Sequence, residues 1–90
     1  MSQVHVNPEV LHQFSVCLDR FRAELHAQMQ NLQGNFHTLG DTWRDQQREK
    51  FAGEFEMAMR TLQKFLLTTE KEHLPYLRKK IELARSFLHG

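Results

Sequence analysis

The chain has 90 residues and a nearly balanced charge, with 12 Lys+Arg against 11 Asp+Glu. That length allows one small domain and excludes a multidomain enzyme. The balanced charge argues against nucleic acid as a partner, because such binding needs many uncompensated cations. Only 4 Gly and 2 Pro occur, and no stretch alternates apolar with polar residues for long, so the sequence predicts an all-α protein.

The N-terminal residues lack the basic start and apolar run of a signal peptide, and no apolar run is long enough to cross a bilayer. We therefore expect a chain that is synthesised in the cytoplasm and does not insert into a membrane. Export by a route that reads a folded or internal signal stays open.

The first predicted helix covers about residues 8–38. Asn7 is a suitable N-cap, Pro8 fits the first helical position, and Glu9 lies favourably near the positive end of the helix dipole. Large apolar residues then recur at spacings of three, four or seven, as in a heptad seam. The seam contains Leu11, Phe14, Leu18, Phe21, Leu25, Leu32 and Leu39, and Met29 and Phe36 widen it.

A turn is predicted over about residues 39–43. Gly40 suits a helix C-cap, and Thr42 followed three residues later by Asp45 resembles a capping box. The second helix then covers about residues 44–89. Its seam contains Phe51, Phe55, Ala58, Leu62, Phe65 and Thr69, and it restarts after a shifted step as Leu77, Ile81, Ala84 and Leu88.

Pro75 interrupts the second helix. Proline removes a backbone donor and biases the preceding residue, Leu74, away from helical angles. We expect a bend there, and whether the helix kinks or ends stays open. From the rise per residue, helix one is about 45 Å long and helix two about 65 Å, so about a dozen C-terminal residues should extend past the hairpin without a surface to cover.

The apolar surface of helix two is wider than one neighbouring helix needs. Met59 and Leu66 lie about 60–80° from the centre of its seam. A lone hairpin of this size also buries too little surface to offset chain entropy. We therefore expect an antiparallel two-helix hairpin that dimerises into a four-helix bundle. The predicted helix-packing interface consists of Leu11, Phe14, Leu18, Phe21, Leu25, Leu32, Phe51, Phe55, Leu62 and Phe65.

Two Glu-x-x-His sequences, Glu9 to His12 and Glu70 to His73, have the spacing of ligands in di-iron helical bundles. Glu9 and His12, however, should project about 150° away from the seam, and no seam carboxylate supplies a bridging ligand. We therefore expect no metal, no cofactor and no catalytic residue. A di-iron enzyme stays as a third hypothesis.

For two further features, Cys17 and the basic run of helix two, we favour a structural interpretation over a functional one. Cys17 flanks the seam, cannot form an internal disulfide, and is expected to be a small buried apolar group. The basic run Arg78, Lys79 and Lys80, with Arg85, could contact a phosphate or an acidic partner, but cations in the last turns also complement the helix dipole.

The segment Leu39-Gly40-Asp41-Thr42-Trp43-Arg44-Asp45 joins the two predicted helices and is followed by Phe51 and Phe55. This arrangement resembles the WXG-type, ESAT-like family of small bacterial type VII secretion proteins. Asp45 stands where the family motif has Gly. Family members also often carry Tyr-x-x-x-Asp/Glu after helix two, whereas Tyr76 here is followed four residues later by Lys80. This difference suggests either that a partner supplies the signal or that the chain is from a divergent branch of the family.

The resemblance implies a hairpin that pairs with a second copy or a paralogous hairpin, with a secretion ATPase or a larger effector as further partners. It places Trp43, Arg44 and Asp45 in a turn motif that binds a partner. Our first hypothesis is a non-enzymatic type VII secretion substrate, partner or chaperone that is secreted without a cleavable signal peptide. The alternative is a cytoplasmic coiled-coil adaptor that binds partner helices and is not exported.

Overall fold

The computed structural model describes residues 6–89 and shows three helices in two antiparallel arms. Helix α1 covers Pro8–Leu39, α2 covers Gln46–Thr68 and α3 covers Leu74–His89. A five-residue π-helical segment, Thr69–His73, joins α2 directly to α3, so that these two helices form one long arm. Over residues 6–89 every regular element is helical, which confirms the predicted all-α class and helical hairpin.

The N-terminal cap of α1 is confirmed. The Asn7 Oδ1 atom accepts hydrogen bonds from the backbone N–H groups of Glu9, at 2.9 Å, and Val10, at 3.4 Å. Pro8 follows at the first helical position, where its missing N–H costs nothing. The start of α1 is therefore determined by local chemistry alone.

The turn between α1 and α2 differs from the predicted capping box. Thr42 does not cap α2, because its hydroxyl donates to the Leu39 carbonyl at 3.3 Å. Asp45 is the N-cap instead, and its carboxylate accepts from the Arg48 N–H at 3.0 Å. Gly40 caps α1 as expected, but with a right-handed φ of −61° rather than the left-handed conformation that often selects glycine there.

The π-helical segment explains the shifted step in the sequence pattern. Leu77 resumes the seam eight residues after Thr69, one residue more than a heptad. A π segment takes up one additional residue without ending the helix, and here the Leu74 N–H bonds to the Thr69 carbonyl five residues back. The expectation that Pro75 drives Leu74 out of the helical region is wrong, since Leu74 has φ −64° and ψ −45°.

The core lies along a seam between the two arms. Met29, Met59 and Leu66 form its buried cluster, and Leu25, Phe55, Leu62 and Phe65 pack against that cluster. Met59 and Leu66 were expected at the edge of the helix-two surface, yet they are only 8% and 4% exposed. The helices are thus rotated so that the expected flank becomes the centre of the contact.

The α3 helix continues the same contact with α1. Leu74 and Ile81 are buried, and the Arg85 Nη2 atom donates to the Glu9 Oε1 atom at 3.2 Å. The expectation that the last dozen residues extend without a surface to cover is therefore wrong for Ile81, which the hairpin itself covers. Leu88, by contrast, remains 64% exposed.

Candidate protein interface

An aromatic cluster closes the turn end of the hairpin. The rings of Phe36 and Phe55 lie with centroids 4.7 Å apart, and Phe36 and Phe51 are 5.8 Å apart. The Trp43 ring packs against Phe51 at 5.9 Å and is half-buried. Trp43 therefore contacts the end of the core with part of its ring and leaves the rest exposed to solvent.

Arg48 holds this cluster to the turn. Its guanidinium lies over the Phe36 ring, 5.2 Å from the centroid, in a cation–π geometry. The space that Arg48 occupies is the space a side chain at position 40 would need, since a Cβ on Gly40 would lie 2.6 Å from its Nη2 atom. The sequence did not predict the contact of Arg48 with Phe36, because the residues next to Arg48 in the chain do not indicate which ring it covers.

The three residues of the turn motif have separate roles in the structure. Trp43 packs on Phe51, the Arg44 Nε atom donates to the Gly40 carbonyl at 3.3 Å, and Asp45 caps α2. Asp45 has extended backbone angles, φ −106° and ψ −178°. A residue with a capping side chain satisfies an N–H group that glycine at this position would leave to water, so the aspartate is compatible with the turn.

One surface of the hairpin leaves large apolar side chains open. On α1 these are Phe14, Phe21, Leu32 and Leu39, which recur at helical spacing, and on α2 Phe51 joins them; all five are between 42% and 56% exposed. Phe21 meets the ring of Phe65 edge to face, with centroids 6.1 Å apart, which places the exposed sides of α1 and α2 next to each other. We call these five residues the phenylalanine face.

The predicted helix-packing residues therefore separate into two groups. Half-buried residues that line the contact between the arms are Leu11, Leu18, Leu25, Phe55, Leu62 and Phe65. Residues of the phenylalanine face, which the hairpin does not cover, are Phe14, Phe21, Leu32 and Phe51. A folded hairpin accounts for the first group, whereas it leaves about half of each side chain of the second group exposed.

Cys17 is exposed, so the expectation of a buried thiol is wrong. It lies on α1 between Phe14 and Phe21, on the side that faces away from the core seam. The position of Cys17 beside the seam does not determine its burial, because the rotation of α1 decides which edge of the apolar surface is covered.

Over residues 6–89, the two Glu-x-x-His pairs are not gathered into one cluster of side chains. Glu9 was expected on the outer face together with His12; it is exposed, and it pairs with Arg85 of α3. His12 and Glu70 line one groove of about 470 Å³ between α1 and α3, together with Asp19, Arg78 and Glu82 among others. Among the residues that the structure describes, no three His, Cys, Asp or Glu side chains cluster closely enough to hold a metal ion.

With this geometry in view, comparison with known families gives one result. The family model described as "Proteins of 100 residues with WXG", WXG100, matches residues 3–71. The chain belongs to this family. No curated protein and no solved structure matches it.

Membership places the chain in a class of small helical proteins that are secreted by type VII systems without a signal peptide and are not known as enzymes. Members typically form dimers with paralogues. Over residues 6–89, no helix is long and apolar enough to span a membrane.

Proposed function

We propose that this protein is a non-enzymatic type VII secretion substrate or secretion partner that works as a helical dimer. Its phenylalanine face binds a second copy or a paralogous hairpin, and the two hairpins form a four-helix bundle. The observation that carries this proposal is the phenylalanine face itself, five large apolar side chains on adjacent sides of α1 and α2 that are each about half exposed.

The physical argument starts from the thinness of the molecule. The hairpin measures 65 × 24 × 16 Å, so residues 6–89 form one layer of two helical arms, and within that range no further element covers a second apolar surface. Burying apolar surface stabilises an assembly by about 25 cal/mol per Å². A second hairpin placed on the phenylalanine face would supply the missing layer of a helical bundle.

The dimer is tested by a charge substitution on this face. Phe14→Glu should raise the dissociation constant of the dimer at least about tenfold, because a carboxylate would be buried without a partner. Met57→Glu is the matched control, since Met57 is 68% exposed on α2 and lies outside the phenylalanine face. Analytical ultracentrifugation of each variant, alone and mixed with any hairpin protein encoded next to its gene, measures the effect.

The proposed dimer is wrong if the wild-type chain stays a folded monomer at micromolar concentration, both alone and when mixed with a neighbouring hairpin protein. It is also wrong if Met57→Glu weakens the dimer as much as Phe14→Glu, because the interface would then lie elsewhere. Circular dichroism of each variant separates loss of pairing from loss of helix.

The turn motif carries the second part of the proposal. Because Trp43 is half-buried and adjoins Phe51, its open side is available to the secretion machinery, a secretion ATPase or a larger effector. Trp43→Ala should reduce export or partner binding more than it reduces stability. A loss of several kcal/mol in the free energy of unfolding would instead show that Trp43 is a plug of the hairpin end.

Export is tested in the native host by following the protein in the culture medium. We expect secretion of the wild-type chain, loss of secretion when the type VII ATPase is deleted, and reduced secretion of Trp43→Ala. Met57→Ala, which removes an exposed apolar side chain far from the turn motif, should be secreted normally. A wild-type chain that stays in the cytoplasm while its dimer forms would favour the coiled-coil adaptor.

A further inference from the structure

The α3 helix carries a second line of exposed apolar side chains, separate from the phenylalanine face. Tyr76, Leu83 and Phe87 are spaced by seven and four residues, and they are 56%, 60% and 86% exposed. Leu74 and Ile81, which are buried, mark the side of α3 that faces the rest of the hairpin. At about 100° per residue, the exposed line lies roughly 150° around the helix from that side, so α1 does not cover it.

The line is also distinct from the surface assigned to the dimer. Leu77 and Ala84 lie between it and the buried side of α3, and both are half-buried. A hairpin that extends its contact with the phenylalanine face along α3 would first meet these two residues. Tyr76, Leu83 and Phe87 therefore remain open in the proposed dimer.

The charges of α3 indicate what kind of partner fits the line. The helix holds four basic residues, Arg78, Lys79, Lys80 and Arg85, and one acidic residue, Glu82, whereas the whole chain has a net charge of +1. Lys79 and Lys80 follow Tyr76 by three and four residues and precede Leu83 by four and three. Side chains at these spacings are neighbours on a helix surface, so one lysine borders each side of the line.

We propose that Tyr76, Leu83 and Phe87 form a docking seam for an acidic amphipathic helix of a partner protein. In a coiled-coil heptad the seven-then-four spacing places Tyr76, Leu83 and Phe87 at seam positions. Lys79 then takes a flanking position, and Lys80 takes the seam position between Tyr76 and Leu83. The long side chains of both lysines can reach out of the seam to form ion pairs with glutamates of the partner. This surface goes beyond the proposed secretion function, because neither the phenylalanine face nor the turn motif includes any of these residues.

The geometry favours a partner helix over a lipid surface. The line covers about 40° of the circumference of α3, whereas a helix that lies on a membrane presents an apolar face of about 100° or more. A narrow line buries well against one helix and poorly in a flat bilayer interface. The small net charge of the whole chain also gives little long-range attraction to anionic lipid.

The proposal is tested with a designed peptide as the probe. A three-heptad helical peptide with leucine at its seam and glutamate at its flanking positions is labelled with fluorescein and titrated with the full-length protein. Its matched control has lysine in place of each glutamate. We expect the acidic peptide to bind and the basic peptide not to bind, and we expect binding to weaken as salt rises.

Two variants and one control locate the binding. Lys79→Glu with Lys80→Glu should weaken binding of the acidic peptide by about tenfold, because two modest attractions become repulsions, and should allow the basic peptide to bind. Leu83→Asn should also weaken binding. Phe14→Glu should leave the affinity for the peptide unchanged even where it breaks the dimer, so that this proposal and the proposed dimer succeed or fail separately.

Three results would overturn the proposal, provided that circular dichroism shows the variants to be folded. They are failure of the acidic peptide to bind, equal binding of both peptides, and binding that persists unchanged in Leu83→Asn. Vesicles of phosphatidylglycerol are titrated in parallel. The line serves a lipid surface instead if three results coincide. The vesicles bind the wild-type protein, they bind the Leu83→Asn variant more weakly, and the acidic peptide does not bind.

Discussion

The hairpin has two apolar surfaces that differ in side-chain type and in burial. The seam between the arms is centred on Met29, Met59 and Leu66, whereas the adjacent phenylalanine face leaves Phe14 and Phe21 more than half exposed. Slim, unbranched methionine side chains adapt to the narrow space between two helices. Phe55 and Phe65 pack at the edge of this cluster, whereas Phe14, Phe21 and Phe51 lie beside the contact and stay about half exposed.

The largest effect on stability is expected from a pair of alanine substitutions, one in the seam and one on the phenylalanine face. Leu66→Ala should lower the free energy of unfolding by about 2–5 kcal/mol, because it leaves a cavity in the seam. Phe14→Ala should cost less than about 1 kcal/mol in the monomer, since its ring is largely in water already. Urea denaturation, carried out at protein concentrations low enough to dissociate any dimer, gives both free energies of unfolding. Equal losses would mean that the seam and the face do not differ energetically.

Thr69, a polar residue of the seam, gives a second test with a smaller expected change in the free energy of unfolding. Thr69 is 0% exposed, and its hydroxyl has no hydrogen-bond partner among residues 6–88. Thr69→Val keeps the shape and removes the unpaired hydroxyl, so it should raise the free energy of unfolding by about 1–2 kcal/mol. Thr69→Ser keeps the hydroxyl and loses a methyl group, and it should be destabilising. Thermal unfolding of the two variants checks the sign, and a less stable valine variant would indicate that the hydroxyl is paired.

The turn joins α1 to α2, and Asp45 is the N-cap of α2. Asp45→Ala should cost about 1 kcal/mol, whereas Asp45→Gly, which restores the family motif, should cost only a few tenths. Both changes leave the seam and the phenylalanine face intact. If chemical denaturation shows no loss of stability for the alanine variant, the hydrogen bond from the Arg48 N–H to Asp45 is not what stabilises this turn.

Two glycines give the smallest expected effects and opposite signs. A Cβ at Gly53, inside α2, meets nothing within 4 Å, so Gly53→Ala should add about 0.5–1 kcal/mol through helix propensity. Gly40→Ala should lower stability, because its Cβ would displace Arg48 from the Phe36 ring. Melting temperatures of the two variants provide the comparison, and a stabilising Gly40→Ala would show that Arg48 does not hold the turn.

Local features were the ones that sequence reasoning anticipated. The cap at Asn7 depends on residues within one helical turn. The eight-residue step from Thr69 to Leu77 was visible in the sequence because a helix seam has a fixed period, but a bend at Pro75 was expected there and the π segment was not. The cap of α2 was misplaced at Thr42 rather than Asp45, since both residues have capping side chains and only the path of the turn separates them.

The candidate interfaces were anticipated only in part. Phe14 and Leu25 belong to the same predicted seam, yet the first is open and the second packs on the core. An apolar surface wider than one contact has several rotations that bury similar area, so its period alone does not select one. The exposed line through Leu83 was missed for a related reason, because the stronger repeat through Leu77 and Ile81 masks it.

The amino-acid order by itself determined that this protein is helical, where its first helix begins, that the second arm contains one extra residue before its proline, and that a tryptophan marks the turn. These properties follow from hydrogen bonds and periodicities within a few residues. Only the tertiary structure decided that Met59 and Leu66 face α1, that Ile81 is covered, and that Phe14, Phe21 and Phe51 remain exposed. The rotation of each helix is set by all of its contacts together, and those contacts join residues far apart in the chain.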